Sequence, residues 1–139
     1  MPTSAEPLLL DTSAAIPFLD AASPDHPQVR TMLAGRTLGL AGHAELETFS
    51  VLTRLPPPKR VTARAASLLL DRAFPATRHL GAEVAATLRH EFLALGIDGG
   101  AVYDGLVGAA AREHELTLVT MDRRAERTYR AMGVRYVLV

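Results

Sequence analysis

The stretch Pro7-Leu8-Leu9-Leu10-Asp11-Thr12-Ser13 decides the fold. A short run that is apolar at every position reads as a strand buried on both faces, as in a parallel sheet, and not as one alternating between core and water. Asp11 ends the run, and Thr12 to Asp20 reads as a helix immediately after it. The same passage from strand to helix recurs along the chain. Thr37 to Ala41 is a second strand between glycines, followed by a helix from His43 to Arg54 that Pro56, Pro57 and Pro58 terminate. Leu116 to Met121 is another strand, Arg123 to Met132 a helix, and Arg135 to Val139 a final strand.

The intervening segments are helical by periodicity. They are Gln28 to Ala34, then Val61 to Ala73 with Ala65, Leu68 and Leu69 along its apolar face, then Ala82 to Leu95, closed by Gly96. Ile97-Asp98-Gly99-Gly100 is a turn. Ala101 to Glu113 is a helix rich in small residues (Gly105, Gly108, Ala109, Ala110, Ala111), which lets it lie close against a sheet. Pro75 to Leu80 is the least regular strand in the reading. Alternating strands and helices imply an α/β fold: a three-layer α/β/α arrangement around a central parallel sheet of four to five strands. With 139 residues and no repeat or linker, one domain over residues 1–139 is expected.

Composition narrows the chemistry. The absence of cysteine excludes a disulfide framework, a thiolate zinc site and a cysteine nucleophile, and fits a reducing cytosol. No apolar run is long enough to span a membrane and no leader pattern is visible, so a cytoplasmic location is expected. The formal net charge of zero argues against coating nucleic acid by bulk charge. Basic residues nevertheless crowd into Arg54 to Arg64 and Arg123 to Arg130, where local fields can steer a polyanion.

Four scattered acids share one predicted rim. In an open parallel sheet, ligands bind beyond the carboxyl ends of the strands. Asp11 and Asp122 each follow a strand directly. Crossover helices run back antiparallel, so their N-termini face the same edge; Glu47 lies one turn into its helix and Asp104 in the first turn of its own. Converging carboxylates repel and raise one another's pKa. Helix dipoles relieve part of this, and a hard divalent cation relieves more, since magnesium takes oxygen ligands at about 2.0–2.1 Å and keeps several waters. Such a site suits phosphodiester hydrolysis.

Each acid also has a plainer reading. Asp11 before Thr12-Ser13 is a helix-capping arrangement, and Asp122 can cap the helix after it. Glu47 and its neighbour Glu45 can both be solvated surface charges. Asp98 is an extra acid near the rim or a turn residue. Arg54, Lys59, Arg60 and Arg64, with Arg123, Arg124, Arg127 and Arg130, either hold phosphates or form solvated helix faces. The five histidines show no paired ligand spacing, and His90 and His114 are expected to be exposed.

These residues carry a resemblance. The chain resembles PIN domains, specifically the VapC-type ribonuclease toxins of bacterial toxin–antitoxin pairs. The likeness rests on Leu8-Leu9-Leu10-Asp11-Thr12-Ser13, on Ala44-Glu45-Leu46-Glu47-Thr48-Phe49-Ser50-Val51-Leu52-Thr53-Arg54-Leu55-Pro56, on Gly100-Ala101-Val102-Tyr103-Asp104-Gly105-Leu106-Val107 and on Leu116-Thr117-Leu118-Val119-Thr120-Met121-Asp122-Arg123. It implies that Asp11, Glu47, Asp104 and Asp122 form a metal-binding catalytic quartet. Asp11 and Asp104 would be the core ligands, and Glu47 and Asp122 would close the site directly or through water. Glu47 is preferred to Glu45 for its distance from Val51-Leu52. Thr12, Ser13 and Thr120 would support the site, with Arg123 and Arg54 as substrate contacts. Magnesium, or manganese in its place, would be the cofactor. The implied activity is endonucleolytic cleavage of structured RNA (transfer or ribosomal), restrained by a cognate VapB-type antitoxin, in a chain that forms a homodimer.

Three rivals stand beside it. A phosphatase-like hydrolase with Asp11 as nucleophile usually carries a second aspartate two residues on, where this chain has Ser13. A receiver-type regulatory module needs a rim lysine, and the only lysine is Lys59 in the proline turn. The third is a catalytically silent PIN-like module that binds RNA or metal.

Overall fold

The computed structural model describes residues 6–139. In chain order the elements are β1 (Leu8–Leu10), α1 (Thr12–Leu19), α2 (His26–Leu33), β2 (Leu38–Leu40), α3 (His43–Thr53), α4 (Ala63–Ala73), α5 (Ala82–Leu95), α6 (Ala101–Glu113), β3 (Leu118–Thr120), α7 (Glu126–Ala131) and β4 (Tyr136–Leu138). The four strands pair in parallel in the order β2-β1-β3-β4. β1 is therefore central, which explains its three leucines: neither face meets water. The expectation that no leader is present bears on residues 1–5, which lie outside the described ones.

The order of strands fixes where a site can form. From β1 the chain crosses to β2 on one side, then returns past β1 to β3 and moves on to β4. Right-handed crossovers put α1 and α2 on one face of the sheet and α6 and α7 on the other. Between β1 and β3 the connections leave in opposite directions, and the carboxyl ends of these two strands open a crevice. Asp11 stands at the end of β1, and Met121-Asp122 at the end of β3.

The segment Pro75 to Leu80 is not a full strand. It runs along the outer edge of β2, where the Ala76 and Arg78 amides donate to the Leu38 and Leu40 carbonyls at 3.0 and 3.1 Å, but only one bridge forms, between Ala41 and Arg78. The ladder is interrupted by a side chain. Thr77 Oγ1 accepts the Leu40 amide at 3.0 Å and donates to the Phe74 carbonyl at 2.9 Å. Gly39 permits this approach, because a Cβ there would stand 2.3 Å from the Ala76 backbone. Gly42, at φ 51°, turns the chain out of β2 into α3.

Two other expectations change. α4 buries Ala66 and Leu70, while Ala65 and Leu68 face solvent. The i, i+4 pair that meets α3 is thus one position out of phase with the face read from the sequence. The last helix begins at Glu126, because Arg123 to Ala125 form turns tied to Asp122. No helix among the described residues is long and apolar enough to cross a membrane.

The helix rich in small residues lies deep in the fold, with Val107 to Ala111 all buried. A Cβ on Gly105 would meet the Phe92 ring at 2.6 Å, and one on Gly108 would meet Val134 and Tyr129 at 3.0 and 3.2 Å. A bidentate pair of Arg112 with Glu91 (2.7 and 2.8 Å), extended to the Met132 carbonyl at 2.9 Å, binds α6 to α5 and to the end of α7.

Candidate active site

Asp11 is both a helix cap and a wall of the crevice. Its Oδ1 accepts the Ala14 amide at 3.2 Å as α1 begins, and the Ser13 hydroxyl at 2.6 Å. Its Oδ2 accepts the Tyr129 hydroxyl at 2.8 Å. Burial pushes its carboxyl above the usual range, and the hydroxyls of Ser13, Thr120 and Tyr129 with the Ala14 amide hold it back.

Ser13 ties the ends of β1 and β3 together. Its single proton goes to Asp11, so Thr120, 3.2 Å away, donates to Ser13 Oγ, which also accepts the Met121 amide at 2.9 Å. Thr120 Oγ1 in turn accepts the Asp122 amide at 3.1 Å. A relay of hydrogen bonds thus runs from the Asp122 backbone through Thr120 and Ser13 to Asp11. Asp122 Oδ1 accepts the Arg124 amide at 2.9 Å and lies 3.4 Å from Arg124 Nε. This aspartate organises the turn into α7 but is not its N-cap, which is Ala125.

Glu47 and Asp104 come from the opposite wall, on α3 and α6. Asp11, Glu47, Asp104 and Asp122 line one cleft of about 380 Å³, together with Thr12 and Ser13. Asp104 is half-buried, and its carboxyl is pushed up to about 6, first by burial and then by the negative charges of Asp122, Asp11 and Glu47, against the pull of Arg124. Four residues spread over more than a hundred positions therefore share one electrostatic neighbourhood. Buried Thr48, beside Glu47, donates across to the Thr12 hydroxyl at 3.5 Å and links α3 to α1.

Other predicted residues fall elsewhere. Glu45 faces His79 at 3.9 Å, away from the cleft. Asp98 is an exposed turn residue whose carbonyl accepts the Ala101 amide. Arg54 caps α3 and lines a groove adjoining the cleft. Arg123 is exposed, and it is Arg124 that reaches Asp122. His90 and His114 are exposed, as expected. Lys59 pairs with Asp20 at 3.1 Å, at the far end of α1 from the acids, which removes the rim lysine a receiver module needs.

The donor set suits a hard cation. All four side chains offer oxygen, none offers sulfur or imidazole, and their mutual repulsion is what a divalent ion relieves. Among the described residues the acids do not close into a ready-made cage of three or more ligands. The cleft is open, as magnesium with its retained waters requires.

Tyr129 and Thr48 are the residues that sequence reasoning missed. The one signal for Tyr129 was its phase: it lies four positions after buried Ala125, the single aromatic in an arginine-rich helix.

Comparison with known proteins bears on the fold and the family. Residues 8–131 match the PIN domain family. The chain is 43% identical to Ribonuclease VapC27 of Mycobacterium tuberculosis over 132 residues, covering 95% of this chain and 96% of that one. It is 37% identical to Ribonuclease VapC40 of the same species over 106 residues, 75% of this chain and 78% of that one. Among solved structures, the Sarcin-Ricin loop cleaving toxin VapC20 of M. tuberculosis superposes with a TM-score of 0.70 at 18% identity, over 95% of this chain and 99% of the other. VapBC2 from Rickettsia felis, bound to a DNA fragment from its promoter, gives 0.69 at 16% identity, over 96% and 99%. These two likenesses speak for the fold, and the sequence matches for descent. The chain belongs to the PIN-domain family, among its VapC-type ribonucleases.

Proposed function

We propose that this chain is a metal-dependent endoribonuclease, the toxin of a toxin–antitoxin pair, and that it cleaves structured RNA to inhibit translation. The observation that carries the reading is the single cleft lined by Asp11, Glu47, Asp104 and Asp122 at the switch point of the sheet. Asp11 and Asp104 would hold magnesium, or manganese in its place, with Glu47 and Asp122 completing the set. Bound there, the cation supplies Lewis acidity at a phosphoryl oxygen and neutralises charge on the leaving oxygen. The protein's own work is positional. Ser13 and Tyr129 fix both oxygens of Asp11, Thr120 fixes Ser13, and Arg54, Arg123 and Arg124 offer guanidinium groups to phosphates.

An antitoxin of the VapB type would restrain the enzyme by laying a segment across the acidic groove, with an arginine among the carboxylates. A homodimer is the proposed assembly. The rival reading is a PIN-like module that binds metal or RNA in the same cleft without cutting.

The deciding experiment incubates purified protein with total cellular RNA and magnesium, followed by sequencing of the cleavage ends. Cleavage that EDTA stops and Asp104→Asn abolishes supports the reading. Unchanged cleavage by the variant overturns it, and retained magnesium binding with no cut in any RNA favours the silent module.

A further inference from the structure

Beside the acidic cleft lies a second groove of about 510 Å³, lined by His43, Leu46, Ser50, Arg54 and Tyr103 and sharing Glu47 and Asp104 with the cleft. Its floor is aromatic. Tyr103, in the first turn of α6, stacks on His43, the first residue of α3, with ring centroids 5.3 Å apart and planes at 27°. A ring pair in offset stacking is held flat and in place. Yet Tyr103 remains 55% exposed, the only aromatic among the exposed large apolar side chains of the described residues. Leu46, 65% exposed, lines it too, and among the described residues no carboxylate forms an ion pair with Arg54, which also lines the groove.

A flat exposed ring, an exposed leucine and a guanidinium, continuous with a phosphate-cleaving site, match the chemistry of an unpaired nucleotide. Unstacked bases lie on aromatic faces while cations hold the adjoining phosphates. A base inside a helix cannot reach such a face. Resting on the ribonuclease reading above, we propose that the Tyr103–His43 pair is a stacking platform for a splayed nucleobase next to the scissile phosphate. Arg54, lining the same groove, contacts the phosphate beyond that base. Tyr103 touches the base; His43 is a positioning residue that holds the ring.

Binding tests the platform separately from cleavage. The full chain carrying Asp104→Asn is titrated with three probes: a mixed-sequence single-stranded octaribonucleotide, the same strand annealed to its complement, and an octamer of the sugar–phosphate backbone without bases. Adding Tyr103→Ala is expected to weaken the single strand roughly 5- to 150-fold, the range for one stacked base, and to leave the other two probes unchanged. Tyr103→Phe keeps the affinity. The chain has three tyrosines and no tryptophan, so stacking also quenches tyrosine emission, and Tyr103→Phe abolishes that quenching while binding persists. His43→Ala weakens the single strand less than Tyr103→Ala does, and His43→Phe restores it. Equal affinity with and without Tyr103, or an equal loss on the base-free probe, overturns the platform even if the protein cuts RNA. So does a Tyr103→Ala protein that binds RNA normally but changes from dimer to monomer in sedimentation, since the face then joins two copies of the chain.

Discussion

Tyr129 donates its hydroxyl hydrogen to Oδ2 of Asp11 at 2.8 Å, joining residues 118 positions apart. The tyrosine is fully buried, and burial together with the neighbouring carboxylates drives its own ionisation far above the ordinary range. It is therefore a permanent donor. The bond holds Oδ2 of Asp11, while Ser13 and the Ala14 amide hold Oδ1.

Removing that donor tests its weight. Tyr129→Phe keeps the ring against Gly108 but leaves a buried oxygen without its partner, at a cost of about 1–3 kcal/mol. Urea unfolding should show the loss, with the slope unchanged. RNA cleavage should fall through kcat more than through KM, because the substrate does not touch the ring. A variant as stable as the wild type would mean that Asp11 finds another donor.

Asp104 makes stability depend on pH in a definite direction. Its carboxyl stands at about 6 in the folded protein against 3.8 in a free chain. Between those values the folded state holds the proton more tightly, so stability declines as pH rises, and the full penalty applies above about pH 6. Asp11, also raised, acts in the same sense. In metal-free buffer, Asp104→Asn should be more stable than the wild type at pH 7.5, and the gap should shrink toward pH 4. Urea midpoints across that range would show it; a gap independent of pH would contradict it. Magnesium should stabilise the wild type most above pH 6 and the variant little.

The hydroxyl relay predicts a hierarchy at the rim. Ser13→Ala removes the donor to Asp11 Oδ1 and the acceptor of the Met121 amide, so it should lose more activity and stability than Thr12→Ala, which gives up one long contact with Thr48. Thermal unfolding should place the Ser13 variant about 1–3 kcal/mol below the wild type, because its hydroxyl makes three hydrogen bonds, to Asp11, Thr120 and the Met121 amide.

Gly39 supplies a test of the fold itself. Gly39→Ala drives a methyl group into the Ala76 backbone, which cannot turn aside as a side chain can. The expected loss is about 3 kcal/mol or more, read from the urea midpoint. Gly35→Ala meets no atom but must hold φ 74°, so its cost is smaller. Equal losses would show that β2 and the 76–78 segment have room to separate.

Much of this was legible in the sequence for a physical reason. Leu8-Leu9-Leu10 and the small-residue face of Ala101 to Glu113 write their burial into local pattern, and parallel topology then brings Asp11, Glu47, Asp104 and Asp122 to one rim without any contact being known. The rest depends on partners that local pattern does not carry. Leu68 reads as core because it is leucine, yet α3 meets the turn marked by Ala66 and Leu70. The strand expected at Pro75 to Leu80 gives way to one hydroxyl, Thr77, that takes the place of a carbonyl. Tyr129 hides among arginines because its acceptor is at the other end of the chain.

The central strand of the sheet is the first to be synthesised, and one of its two neighbours is the second to last. β1 has no partner on that side until Leu118 to Thr120 exist, and Asp11 has no phenol until Tyr129 does. A chain still being made therefore carries Asp11, Glu47 and Asp104 without the frame that orients them. A fragment that stops before Leu118 lacks both the strand beside β1 and the hydroxyl that holds Asp11.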